Sequence, residues 1–485
     1  MRNHITGESR EQVQMLPPTI EEYVGENNPV RVIDAYVDSL DLVKLAFKRS
    51  DLADVGRLPY HPAVLLKLYL YGYFYGVRSS RKLEAETNRN LEVMWLIRAL
   101  RPDDKTIANF RSENAKAIRG VFIEFRITCE NLGLYGKKTV AIDGTKIKAS
   151  NSKKRSFTKE ALQKRIKEME AEAENFLSEM AKNDQSELKI PKLDAAGIKK
   201  RIEELDERLA EYRRHIEEMT AENKTQVALT DADCKRMVNG QGRTEPCYNI
   251  QMAVDSKNIL IVDYKTTNEC NDSQQLHSMA LASKKALGVS SLEALADAGY
   301  ANGAEVLKCD KDEITAYVPP KSVSGFPTRE GIPTKEYTVD KFIYDAASDC
   351  YTCPQKETLN VVKDTIQEGE KVKFYKTLAC LGCTARAQCT SSQDGRTVRR
   401  TESNEAMVAL NQRVAENPEK TKVRGQIVEP VFGILKTAMA MRQFLVRGLA
   451  KVDAEVGLGS TAFNLKRAIN ILSVPVLLAA IANAG

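Results

Sequence analysis

Apolar positions along this chain change their spacing several times, and each change marks a different kind of element. Residues 1 to 135 keep helical spacing. PAVLLKLYLYGYFYG predicts a buried helix, SSRKLEAETNRNLEVMWLIRAL an amphipathic one, and DDKTIANFRSENAKAIRGVFIEF a further helix behind a proline and two capping aspartates. From 157 to 224 the apolar positions are Leu162, Ile166, Met169, Ala173, Phe176 and Met180, then Ile198, Ile202, Leu205, Leu209, Tyr212, Ile216 and Met219. Alternating steps of four and three are the heptad signature. With Pro191 and Gly197 breaking the helix between the two sets, they predict an antiparallel coiled-coil hairpin about 40 Å long.

Around that insertion the pattern turns β-like. VAIDGTKIKAS predicts a strand that ends at Asp143, with Asp143-Gly144 as a turn. NGQGRTEPCYNIQMAVDSKNILIVDYKTT predicts a hairpin about Ser256-Lys257-Asn258, DSQQLHSMALASKKALG a helix, and SLEALADAGYANGAEVLKC a strand, a turn and a helix. With the coiled coil removed, a strand ending at Asp143, a hairpin, a helix and a strand ending at Asp297 form the order of a mixed α/β domain. VPPKSVSGFPTREGIPTK predicts a linker. From Glu416 onwards apolar and basic residues alternate at helical spacing, with the apolar set assigned to the core.

Composition narrows the class. At 485 residues, 42% hydrophobic and 28% charged, the chain is large enough for several domains and too apolar to be mainly disordered. No run reaches the ~18 apolar residues of a membrane span and the first residues lack a signal-peptide core, so a cytoplasmic, reducing setting is expected. The net charge of +6 matters through its placement, since lysine and arginine crowd the C-terminal third. Arg78, Arg81, Lys82, Arg89, Arg98, Arg101 and Arg111 in the N-terminal helices suit either a helix-turn-helix DNA-binding unit or a scaffold with a solvated basic face.

Two sets of residues carry candidate chemistry. Cys350, Cys353, Cys380, Cys383 and Cys389 make a C-x2-C-x26-C-x2-C-x5-C frame whose two thiol pairs suit a structural Zn2+, with one cysteine more than a four-ligand site needs. Two aspartates at neighbouring strand ends and a glutamate on a packed helix can hold two Mg2+ or Mn2+ ions about 3.5–4 Å apart for phosphoryl transfer. Asp143, Asp297 and Glu429 are the candidates. Asp255 in a hairpin turn, Asp272 as a helix N-cap and Glu455 on the last long helix are the rivals. The four histidines are scattered and form no triad or ligand motif.

VAIDGTKIKA, YNIQMAVD, ALADAGY and RGQIVEPVFGILKTAMAMRQFLVRGLAKVDAEVGL followed by NLKR, in this order, resemble bacterial insertion-sequence transposases of the DDE class. HPAVLLKLYLYGY, RPDDKTIANFR and the late cysteines extend the likeness over most of the chain. The resemblance implies an α/β fold: an RNase H-like mixed-sheet core with an all-α N-terminal domain, a coiled-coil hairpin insertion and a small Cys-rich insertion. It assigns residues 1–135 to end binding, 136–156 to the first catalytic strand, 157–224 to the coiled coil, 225–316 to the core, 317–415 to linker and zinc-ribbon-like insertion, and 416–485 to C-terminal helices. Asp143, Asp297 and Glu429 fall on the family's acids, with Lys436 two turns beyond the glutamate. The arginine that related transposases carry four residues before that glutamate is here Gly425, with Arg424 one place earlier.

The implied function is binding of terminal inverted repeats, two-metal cleavage of DNA and strand transfer, by at least a homodimer on paired ends and without a membrane. A metal-dependent nuclease without strand transfer and a non-catalytic transposase-derived DNA-binding protein are the alternatives. Lys146, Lys148, Lys420, Lys422, Arg424, Lys436, Arg442, Arg447, Lys451, Lys466 and Arg467 are the expected phosphate contacts. Each contact that neutralises a phosphate adds about 0.9 to the salt slope of duplex binding.

Overall fold

The computed structural model describes residues 19–50, 59–152, 155–185, 195–320, 333–367 and 370–484. Six helices come first: α1 (Pro29–Asp38), α2 (Pro62–Tyr75), α3 (Ser80–Arg89), α4 (Leu91–Leu96), α5 (Asp104–Glu113) and α6 (Ala115–Asn131). Helix α2 has almost no polar side, and eleven of its fourteen residues are buried, which makes it a central helix of its bundle. The expected helix from Ser79 to Leu100 divides at Asn90. Its side chain accepts from the backbone N–H groups of Glu92 and Val93 and so starts α4 where α3 stops. The helix expected behind Pro102 divides likewise at Asn114, after Asp103 has capped its start by accepting from Thr106 N.

Strand β1 (Thr139–Lys148) is followed by β2 (Ser156–Thr158), α7 (Lys159–Gln185), α8 (Ala195–Ala221) and β3 (Gln226–Ala228). Helices α7 and α8 pack through Ile166, Met169, Ala173, Leu205 and Leu209, and Glu170 meets Arg213 at 2.6 Å, which makes the pair antiparallel above the β2–β3 ribbon. Gly197 lies in the first turn of α8 and does not end a helix. Pro191 and most of the expected linker lie outside the described residues.

The main sheet adds β4 (Lys235–Val238), β5 (Thr244–Asp255), β6 (Ile261–Thr267), α9 (Leu276–Leu287), β7 (Leu292–Leu295), α10 (Gly303–Lys311) and β8 (Ile314–Tyr317). Its order is β4-β5-β1-β7-β8, with β6 also on β5. β1 is antiparallel to β5 and parallel to β7, which is parallel to β8. The hairpin, the helix and the second strand fall where their patterns place them. β1 does not end at Asp143, because it stays paired with β5 from Val140↔Asp255 to Lys148↔Cys247.

A second sheet holds β9 (Ile343–Asp345), β10 (Cys350–Thr352), β11 (Thr358–Gln367), β12 (Glu370–Lys376) and β13 (Val398–Thr401), with the short helix α11 (Arg386–Cys389) between the last two strands. Its own core is small: Phe342, Tyr351, Leu359, Tyr375 and Val398. Then come α12 (Glu402–Glu416), α13 (Pro418–Lys436), α14 (Leu449–Leu472) and α15 (Val474–Ala484).

Helix α9 packs on β1, β5 and β6 and also against α10; α13 and α14 reach the sheet from the other side. Helix α14 runs through the centre, where Asn464 accepts from Ile261 N and donates to Ile261 O, both at 2.9 Å, and so satisfies strand β6. One continuous core from Val24 to Ile481 joins the N-terminal helices to the main sheet. No single helix among the described residues is long and apolar enough to cross a membrane.

Candidate active site

Strand pleat decides what faces what on β1. Asp143 and Thr145 face α13, while Gly144 and Lys146 face the segment before α9. Arg424 of α13 donates to Asp143 Oδ2 at 2.8 Å and lies 3.8 Å from Glu429 Oε1, so one guanidinium spans two acids. Glu429 is largely exposed, whereas Asp143 is mostly covered. Asp297 stands just past β7, caps its own turn by accepting from Gly299 N, and lies close enough to Asp143 for its charge to act there. Burial pushes the Asp143 carboxyl above its ordinary value; Arg424 opposes that rise and the charge of Asp297 adds to it. Lys436 donates to Thr145 Oγ1, and burial lowers its ammonium pKa although Asp143 pulls the other way.

Gly425 explains the displaced arginine. A Cβ there would sit 2.9 Å from Glu429 Oε1, so the glycine leaves space for a carboxylate folded back over the helix, and Arg424 supplies the cation from the preceding position.

On the other face lies a network that pattern reasoning missed. Asp272 accepts from Lys146 at 2.8 Å, Asn249 at 2.6 Å and Gln251 at 2.7 Å, and Gln251 accepts from the Tyr300 hydroxyl. Asp272 therefore does not cap a helix, and α9 starts after Gln275. Gly144 makes the network possible without turning the chain: a Cβ there would lie 2.4 Å from Gln251 Nε2 and 2.6 Å from Asp272 Oδ1. Burial raises the Tyr300 hydroxyl pKa well above its usual value, and the charges of Asp272, Asp143 and Asp297 raise it further, so the two faces meet near this residue. The available signal was two amides, Asn249 and Gln251, inside the apolar run YNIQM. Buried amides need partners.

The other rivals are structural. Asp255 is fully buried and accepts from the N–H groups of Gly136, Lys137 and Lys257, closing the turns beside it. Glu455 is fully buried and accepts from Arg78 at 2.9 Å and Leu445 N at 2.9 Å, with Arg111 at 4.0 Å. Among the described residues no group of three or more His, Cys, Asp or Glu side chains is arranged to hold a metal ion.

A family model for a transposase domain matches residues 18–113, and one for a transposase DDE domain matches residues 352–469. Both matches are to transposase families, and together they support an insertion-sequence DDE transposase. The second match takes in Glu429 and Cys353, Cys380, Cys383 and Cys389, but neither Cys350 nor either aspartate. No curated protein and no solved structure matches the chain.

In this transposase the basic residues divide. Lys422, Arg442 and Arg447 are exposed. Arg447 bonds Ser150 O, and the backbones of Arg442 and Phe444 bond Lys148, which holds that segment beside the end of β1. Lys148 lies 3.7 Å from Glu245, and Lys146 is engaged by Asp272 on the face turned from Asp143. Lys466 sits 4.9 Å over the Phe74 ring and Arg467 donates to Asn258 O, contacts with α2 and the β5–β6 turn instead of the acids. Arg78 and Arg111 are buried against Glu455 and unavailable to DNA, whereas Arg81, Lys82, Arg89, Arg98 and Arg101 remain exposed. The cysteines divide as well. Cys353, Cys380, Cys383 and Cys389 line one cavity, while Cys350 lies apart beside Ser348 Oγ.

Proposed function

We propose that this transposase binds the terminal inverted repeats of its element, cleaves DNA at the ends and joins the freed 3′ hydroxyls to target DNA. The observation that carries the reading is Arg424 between Asp143 and Glu429, acids from a strand and a helix on opposite sides of two insertions, with the charge of Asp297 acting on the same site. A cation already lies where acids from three elements approach one another, and their hard oxygens fit Mg2+ or Mn2+. The strand sequence supports an RNase H-like core: an antiparallel β1-β5-β6 meander, then two parallel strands reached through α9 and α10. In this reading the helices within 1–135 serve end binding, and 157–224 and 317–415 are insertions into a core made of 136–156, 225–316 and 416–485.

Asp143, Asp297 and Glu429 are the residues that would hold the metal. Two bound divalent ions would supply a sharpened attacking oxygen and stabilise the leaving 3′ oxygen. Arg424 neutralises the acids before DNA arrives and then stands at the helix surface to meet a phosphate. Thr145 holds the Lys436 ammonium beside Asp143, where its charge limits carboxylate repulsion. Exposed Lys422, Arg442 and Arg447 give the incoming backbone cations that no carboxylate among the described residues has claimed. Assembly on paired ends calls for at least a dimer.

Purified protein, end DNA and Mg2+ should give nicks at the repeat boundary and joined products from a pre-cleaved end. Asp143→Asn should abolish both and leave DNA binding intact. Cleavage surviving that substitution overturns the site. Cleavage without joining identifies a nuclease, and binding without cleavage under any divalent metal a non-catalytic DNA-binding protein.

A further inference from the structure

The cysteine cavity has no part in that chemistry, and its placement points to a second function. Cys353 stands in the β10–β11 loop, where its N–H donates to Glu357 O at 2.9 Å and its carbonyl accepts from Lys356 N at 2.8 Å. Cys380 and Cys383 close a helical turn after β12, Cys383 N bonding back to Cys380 O, and Cys389 ends α11. Three separate segments thus present four free thiols to one cavity of about 30 Å3. Cys350, three residues before Cys353, sits on β10 opposite Asp345 and does not line it.

Two further observations give the cavity a ligand. Arg396 lines it, and its Nε is a buried donor without a hydrogen-bond partner, which a sulfur anion would satisfy. The second concerns what holds the segment in place. Neither the turn at Leu378–Gly382 nor α11 contains a buried residue, and Leu378 and Leu381 are exposed, so among the described residues their packing against the core of the second sheet rests on Cys389, itself one of the four thiols. Five core side chains are few for a module of this size, and small modules of this kind are commonly stapled by a metal.

We propose that Cys353, Cys380, Cys383 and Cys389 bind one structural Zn2+ and that Cys350 is the surplus thiol. Four thiols release four protons and bind the ion at about 2.3 Å, which leaves a net charge of −2. Arg396 and Arg386, both lining the cavity, offset that charge, and Arg396 Nε gains a thiolate acceptor. The thiols face one cavity without being gathered to bond distance, so binding draws them in by side-chain rotation. The bond network then ties the β10–β11 loop to the segment between β12 and β13. This reading is independent of the acidic site and fails or stands separately from it.

The test is zinc content of the full-length chain, measured by elemental analysis and by release with a thiol-specific mercurial. One zinc per chain is expected for the wild type and for Cys350→Ser, and loss of most of it for Cys389→Ser or Cys380→Ser. Replacing zinc by Co2+ in the wild-type chain gives a second readout that needs no variant. Intense thiolate-to-cobalt charge-transfer bands and a tetrahedral visible spectrum, unchanged in Cys350→Ser, are expected. Absence of zinc, pairing of these cysteines as disulfides, or loss of the metal in Cys350→Ser with retention in Cys389→Ser overturns the proposal.

Discussion

Glu455→Gln tests the separation of structural from functional acids most directly. Glu455 has no exposed surface, accepts from Arg78 and Leu445 N at 2.9 Å each, and has Arg111 4.0 Å away. The amide retains an oxygen for one of these bonds but removes the only countercharge the two buried guanidiniums have on α14. Breaking one side of a buried ion pair costs about 3–5 kcal/mol, and hydrogen bonds to charged groups are worth about 1.5–3 kcal/mol each, so a loss of about 3 kcal/mol is expected. In urea that lowers the unfolding midpoint by on the order of 1 M, since the slope for a chain of this size is at least about 3 kcal/mol/M. Adding Arg78→Met should recover part of the loss, because the unpaired charge leaves with it. Glu429→Gln, at a largely exposed side chain, should change stability by less than about 0.5 kcal/mol while abolishing end cleavage. If Glu455→Gln were as stable as the wild type yet unable to cleave, Glu455 would be the third acid.

Gly144→Ala should destabilise the chain by about 1–3 kcal/mol, because its Cβ would press on Gln251 and Asp272; thermal melting reads this, and an unchanged melt would refute the close packing. Arg424→Ala should lower the stability of the metal-free chain, since Asp143, Glu429 and Asp297 then lose the guanidinium between them and keep only the Lys436 ammonium beside Asp143, and millimolar Ca2+ should restore it. A deficit that Ca2+ leaves untouched would argue against the three acids as a metal site. Protons should compete with metal at Asp143 at a higher pH than at an ordinary aspartate, because burial raises its folded pKa. The sign follows: its proton is held more tightly in the folded state, so its contribution to stability is greatest in acid and declines as pH rises through the folded value. Calorimetric Ca2+ affinity should therefore fall as pH drops from ~7 towards ~4, earlier than in a simple carboxylate site. Equal affinity across that range would refute the shift.

Local physics made much of this protein readable from its order of residues. Heptad spacing placed the partners Ile166, Met169, Leu205 and Leu209, and two β-rich stretches about Ser256-Lys257-Asn258 placed the β5–β6 hairpin, because both depend on neighbours within a few residues. ALADAGY carried its own turn chemistry, with Asp297 capping the residues that follow it. Asn90 and Asn114 divide helices that apolar spacing alone carries straight through, because that spacing does not mark where a polar side chain stops a helix.

Other outcomes belong to the tertiary structure alone. Whether Asp143 ends a strand depended on β5, one hundred residues away, which carries the pairing on to Lys148. Arg424 meets Asp143 and Arg78 meets Glu455 across hundreds of residues, so no local pattern could divide the basic residues between core, site and surface. The four cysteines that share a cavity are chosen by the packing of three segments, and Cys350 is excluded only because β10 turns it elsewhere. Spacing supplied the acids and thiols as chemical types. Long-range packing, which sets burial and charge neighbours, decided which of them meet.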